Sequence, residues 1–167
     1  MRELSSLEEG TRLKVVAALE ECSVKGLDLL IYCTFRPFAE QAAEYAKGRT
    51  VPNNPTAAKP MGTVVTMARP GWSWHQWGRA IDLVPRRAGK LVWGTRGDGV
   101  DQNPADDASD DLELWQKIAT VFKGHGMQWG GDFPKLKDYP HFQDPGPWTL
   151  KQLNEKYPKG LRPGGFV

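Results

Sequence analysis

Cysteine and histidine are scarce in this chain of 167 residues: two of the first, Cys22 and Cys33, and three of the second, His75, His125 and His141. One cysteine falls in a helical pattern and the other in a strand-like one. That excludes a disulfide scaffold and reads as two buried thiols in a reducing compartment. Long hydrophobic runs are missing as well, and no stretch nears the roughly 20 apolar residues that span a bilayer. The first ten residues are polar and acidic and lack the apolar run of a secretory signal, so synthesis and folding in the cytoplasm are expected. Charge of one sign is also lacking. Lys plus Arg number 22 against 20 Asp plus Glu, a formal charge of +2. That excess is too small for the concentrated basic face of a nucleic-acid binder. There is no internal repeat and no low-complexity linker.

What is abundant is glycine (18), proline (13) and tryptophan (7). Glycine and proline imply long shaped loops, where binding and catalytic groups tend to sit. Tryptophan suits an apolar platform that meets a polar ligand. With 40% apolar and 25% charged residues the chain is globular in composition. Its length suits one domain, residues 1–167, with a core at about 6–143 and a C-terminal extension at 144–167.

Ser6 and Glu9 read as a capping box for a helix whose Leu13, Val16, Ala17 and Glu20 follow three-four spacing to about Gly26. Leu29 to Phe35 reads as a buried strand, and Pro37 opens a helix through Ala46. Arg49 to Trp72 is a long loop with a short strand at Val64–Met67. Strands follow at Ala80–Val84, Lys90–Trp93, Met127–Trp129 and Tyr139–Gln143. The acidic loop Thr95–Ser109 lacks the regular ligand spacing of a calcium loop and reads as solvated. Asp110 and Glu113 can cap a helix that carries Leu112, Trp115, Ile118, Ala119 and Phe122 on one face and stops at Gly124 and Gly126. A last helix covers Thr149–Tyr157. The class is α+β, a small, mostly antiparallel sheet flanked by helices.

A hydrolytic zinc site takes three ligands from His and carboxylate and leaves a fourth position for water. His75, Asp82 and His141 can supply that set. Asp82 sits between Ile81 and Leu83 in a strand, and a carboxylate there is costly to bury unless it is paired or bound to metal. Gly78 permits the unusual dihedrals that return His75 beside it. From chemistry alone these residues read equally as metal ligands or as hydrogen-bonded structural groups. His125, in a helix-ending turn, reads as a charge at a helix C-terminus. Arg36 reads as an ordinary ion pair with Glu40, and Ser73 as the group that orients His75.

Ser73-x-His75-x-x-Gly78-x-Ala80-x-Asp82, followed by Asp138-x-x-His141, resembles the zinc D-alanyl-D-alanine carboxypeptidase superfamily. Upstream, Thr34-Phe35-Arg36, Glu40-Gln41, Tyr45 to Thr50 and Thr66 to Gly71 resemble its L-alanyl-D-glutamate endopeptidase branch, the phage endolysins. The resemblance spans about Leu29 to Phe142. It implies one zinc ion held by His75, Asp82 and His141, with Asp138 as catalytic base and Arg36 polarising the substrate carbonyl. No role carries over to Trp74 or Trp77. Zinc can lower the pKa of water from 15.7 to about 7, enough to make a nucleophile at neutral pH without Ser or Cys. Two imidazoles and one carboxylate also suit other divalent ions.

The expected function is zinc-dependent hydrolysis of an amide bond in peptidoglycan stem peptides. The first choice is the L-Ala–D-Glu bond, cut by a monomeric phage-type lysin that reaches the wall after release. Terminal D-Ala release is the first alternative, and a non-catalytic zinc-bearing wall-binding module is the second.

Overall fold

A computed structural model describes residues 3–93 and 110–158. The acidic loop 95–109 and the tail beyond 158 lie outside the described residues. Among the described residues, four α-helices flank a five-stranded sheet: α1 Glu9–Val24, α2 Phe38–Ala46, α3 Asp110–Gly124 and α4 Leu150–Lys156, with β1 Asp28–Cys33, β2 Ala80–Arg87, β3 Lys90–Leu91, β4 Gln128–Trp129 and β5 His141–Gln143. The strand order is β1-β2-β5-β4, with β3 on the far end of β2, and every pairing is antiparallel. The α+β class expected from the sequence is therefore the class observed. No helix among the described residues is long and apolar enough to cross a membrane.

The first helix lies where expected but is started and rotated differently. Ser6 ends a short 3-10 turn, and Glu8 is the N-cap, its carboxylate accepting the Thr11 amide at 2.9 Å. The buried stripe is Thr11, Val15, Ala18 and Cys22, whereas Leu13 and Val16 face solvent. Apolar residues ring this helix, so spacing alone did not choose a face. The small residues Thr11 and Ala18 win the close contact, because the Thr11 hydroxyl is satisfied by Glu8 Oε2 at 3.0 Å. The short strand expected at Val64–Met67 is absent. The loop around it is held by isolated bridges (Lys47 with Val51, Asn53 with Gly62, Thr56 with Lys59).

The core forms where α1 and α3 lie on one face of the sheet. Val15, Ala18 and Cys22 meet Trp115, Ile118, Ala119 and Phe122 over Ile81, Leu83 and Phe142. Phe122 and Phe142 pack with ring centroids 4.7 Å apart. Both cysteines are free and buried, as expected.

The β1–β2 ladder is interrupted at one point. In β1, Ile31 pairs with Leu83 but Cys33 pairs with Asp82, so Tyr32 is an extra residue. Such a bulge turns a strand edge and re-aims its side chains. Here it sets both Tyr32 and Cys33 near Asp82.

Phe142 has no exposed surface and lies between His141 and Gln143 in the sequence. Replacing it by Ala should destabilise the protein by about 3–5 kcal/mol in urea unfolding. A loss below about 1 kcal/mol, the range of surface substitutions, would contradict this packing.

Candidate metal centre and its cleft

Period-two alternation sends Ile81 and Leu83 into the core and Asp82 to the opposite face of β2. Across the ladder Asp82 pairs with His141 of β5. His75 arrives from a 3-10 turn, Trp74–Trp77, which ends at Gly78 in the left-handed conformation with φ 62°. A side chain would be strained at that φ, so Gly78 is what lets the turn re-enter the strand at Ala80.

These elements bring together the three residues singled out from the sequence. His75 Nε2 and His141 Nδ1 each lie 3.1 Å from the same atom, Asp82 Oδ1. All three side chains are buried. The His75 Nδ1–H donates to the Thr34 carbonyl at 2.6 Å. The group that orients this ring is thus a backbone carbonyl of the β1–α2 connection, rather than Ser73. Arg36 donates from Nη2 to Asp82 Oδ2 at 3.4 Å and from Nη1 to Gln41 Oε1 at 3.1 Å, so its partners are in the site and Glu40 is not the main one. His125 stands apart, with Nε2 2.9 Å from Glu21 Oε2 at the end of α3.

Asp138 comes from the connection between β4 and β5. Its amide donates to the Gly130 carbonyl at 3.0 Å, and its own carbonyl accepts the His141 amide at 3.1 Å, closing a turn through Pro140. A Cβ on Gly130 would collide with the Asp138 carbonyl oxygen and lie 3.1 Å from His141 Cβ. The glycine is required by close approach. Asp138, Arg36, His75, Asp82 and His141 all line one cleft of about 570 Å³. Its walls include Tyr32, Met67, Trp72, Phe133 and Leu136.

Burial works against a charge on His75, but the Asp82 carboxylate outweighs it and raises the imidazole to about 10. Burial likewise opposes ionisation of Asp82, and the two imidazoles hold it far below the ordinary carboxylate range. Asp138 is pushed up, mainly by burial. A buried carboxylate carrying two imidazole nitrogens on one oxygen is a charge arrangement that a divalent cation can enter by displacing a proton. One oxygen and two imidazole nitrogens suit zinc and its neighbours in the transition series. The donor set therefore fits a metal ion.

Cys33 is a neighbour that sequence reasoning missed. Cys33, His75 and Asp82 offer ligand atoms within 4.8 Å of one another. Cys33 Sγ, however, lies 3.8 Å from His75 Nδ1, the nitrogen already committed to Thr34, and accepts from Arg36 Nη2 at 3.2 Å. The thiol thus sits behind the ring rather than beside the nitrogen that faces Asp82. No sequence signal marks the bulge that brings it there.

Residues 66–144 match the family model described as D-alanyl-D-alanine carboxypeptidase. That segment, just under half of the chain, is similar to this family. It contains His75, Asp82, Asp138 and His141, while Arg36 lies upstream of it. The chain is 37% identical over 120 residues to the peptidoglycan L-alanyl-D-glutamate endopeptidase CwlK of Bacillus subtilis (strain 168). That match covers 71% of this chain and 62% of the relative, so the chain spans about three fifths of that protein's length. Among solved structures, the Serratia marcescens L-Ala D-Glu endopeptidase ChiX aligns with a TM-score of 0.54 and 19% identity, covering 89% of this chain and 85% of that one. The LD-carboxypeptidase LdcB aligns at 0.53 and 15%, covering 90% and 64%. At these identities the two structures establish a shared fold.

A metal ion entering at His75 would compete with a proton. Because its folded pKa lies near 10, above its ordinary 6.5, the imidazole is charged at neutral pH in the metal-free protein. Each metal ion bound there must release that proton. Titration calorimetry with zinc should show affinity rising about tenfold per pH unit between pH 6 and 9, the signature of one displaced proton. A pH-independent affinity would place the metal elsewhere.

Proposed function

We propose that this chain is a zinc-dependent peptidase that hydrolyses an amide bond in peptidoglycan stem peptides. His75, Asp82 and His141 are the ligands, Asp138 is the base and Arg36 is the electrostatic partner of the scissile carbonyl. The observation that carries the reading is the sharing of Asp82 Oδ1 by both imidazoles, in a cleft that also holds Asp138 and Arg36.

Bound among these ligands, zinc supplies Lewis acidity toward water and toward a carbonyl oxygen. The rest of the work falls to the chain. Asp138 takes a proton from the attacking water and returns it to the leaving amine. Burial raises its proton affinity, bringing it closer to a group that must accept and then release a proton near neutrality. Arg36 carries a permanent planar charge against the developing oxyanion, held in place by Gln41. The exposed apolar side chains of Met67, Trp72 and Leu136 on the cleft wall receive the flanking parts of the peptide.

The bond favoured is L-Ala–D-Glu, supported by the named activity of the 37% identical relative and by the motifs shared with the endolysin branch. Those motifs also support a lytic role of the phage type. Release of terminal D-Ala is the second reading, favoured by the description of the family that residues 66–144 match.

Digestion of defined muropeptides with the zinc-loaded protein should expose new D-Glu amino termini by mass spectrometry. Free D-Ala without those termini would select the second reading. Fragments retained but uncut would make the chain a binding module. Asp138→Ala should lower turnover by about a hundred- to ten-thousandfold and leave zinc stoichiometry unchanged. His75→Ala should lose both metal and activity.

A further inference from the structure

His141 and Gln143 are two apart in β5, so strand alternation places both on the cleft side while Phe142 points into the core. His141 Nδ1 faces Asp82, and its other nitrogen, Nε2, lies 3.0 Å from Gln143 Oε1. Gln143 is also a cleft residue and is buried. On its far side Gln143 Nε2 donates to Gln128 Oε1 at 2.9 Å. Gln128 is the direct cross-strand partner of Gln143 in the β4–β5 ladder. Cross-strand partners share a face, so this contact is built into the register.

An amide has one donating end and one accepting end, and an imidazole nitrogen that is to bind metal must carry no proton. The sense of the chain Gln128–Gln143–His141 therefore matters. With the Gln143 amino group spent on Gln128, only its carbonyl oxygen can face the ring, and the ring must answer with an N–H at Nε2. With a metal bound in place of the His141–Asp82 hydrogen bond, Nδ1 would then be the nitrogen that offers a lone pair on the Asp82 side. His75 is oriented by the backbone carbonyl of Thr34, which cannot turn over. His141 depends instead on a side-chain amide that can.

We propose that Gln143 is a positioning residue for the metal, fixing His141 as the tautomer protonated at Nε2, and that Gln128 sets the sense of the Gln143 amide. The inference rests on the zinc reading and deepens it, since it assigns a role to residues outside the ligand set. Neither glutamine is among the proposed metal ligands. Partners of this kind act through a ligand's orientation and basicity, and their loss typically weakens metal binding by about 10- to 100-fold.

The test is zinc affinity and the His141 tautomer in the full chain, measured separately from hydrolysis. Gln143→Leu should weaken zinc binding by about 10- to 100-fold, with a thermal midpoint of the metal-free protein close to that of wild type. Gln143→Glu, whose carboxylate can only accept, should bind zinc at least as well as wild type. Gln128→Leu should give a smaller loss, because it frees the amide to turn without removing it. Nitrogen-15 spectra of the zinc-loaded wild type should show the His141 proton on Nε2. A Gln143→Leu protein that binds zinc as tightly as wild type, or a loaded wild type with that proton on Nδ1, overturns the inference and leaves the zinc site standing. A wild-type chain that binds no zinc overturns both.

Discussion

A carboxylate in the middle of a strand sets the terms for this protein. Asp82 is flanked by Ile81 and Leu83, both wholly buried, and is itself only 8% exposed. A charge at that depth costs several kcal/mol unless it is compensated. Compensation comes from three directions at once. The 3-10 turn supplies His75, β5 supplies His141 and the β1–α2 connection supplies Arg36. Much of the local architecture serves these approaches, including the left-handed Gly78, the bulge at Tyr32 and the turn that folds Asp138 back onto Gly130. The same positive surroundings that stabilise a bare carboxylate are what a cation replaces.

The parts of this arrangement that are carried by period and spacing could be read from the sequence. Alternation of Ile81, Asp82 and Leu83 placed the carboxylate opposite the core, and the Asp138-x-x-His141 interval placed a second carboxylate on the same side through a turn. The four helices and the strands on either side of the site followed from apolar periodicity and from glycine and proline punctuation. What stayed hidden has physical reasons. The face of α1 was ambiguous because apolar residues surround it, and packing chose the small ones. The β1 bulge leaves no trace in a run of apolar residues, so Cys33 and Tyr32 could not be assigned to the site. The partner of His75 is a main-chain oxygen, which has no residue type to recognise. Gln143 was readable in principle, two residues beyond a proposed ligand on one strand, and only its contact with Gln128 needed the fold.

The two histidines, although symmetric about Asp82 Oδ1, are held by unlike means. One is fixed by main chain and the other by a relay of side chains. The first belongs to the connection between β1 and α2, far from β5 in sequence. The second belongs to the two-strand ladder that also orients Asp138 through Gly130. His141 and Asp138 are therefore set by a single short piece of backbone, and their relative placement is preserved under any motion that carries the piece as a unit. His75 and Arg36 form the opposing half, tied together because the Arg36 amide donates to the His75 carbonyl at 3.1 Å.

Helix α4 buries Leu153 and is also stitched to the rim of the cleft. Asn154 of α4 donates to the Gly71 carbonyl at 2.5 Å and to the Leu150 carbonyl at 2.7 Å, and Leu150 itself lines the cleft. Gly71 in turn donates to Gln76 Oε1 at 2.7 Å, one residue from His75. Helix α4 thereby acts as a buttress for the strip of chain that precedes His75. The smallest piece of this polypeptide able to keep its cleft walls in register thus extends through α4, and anyone trimming or fusing the chain should treat that helix as masonry, not as trailing thread.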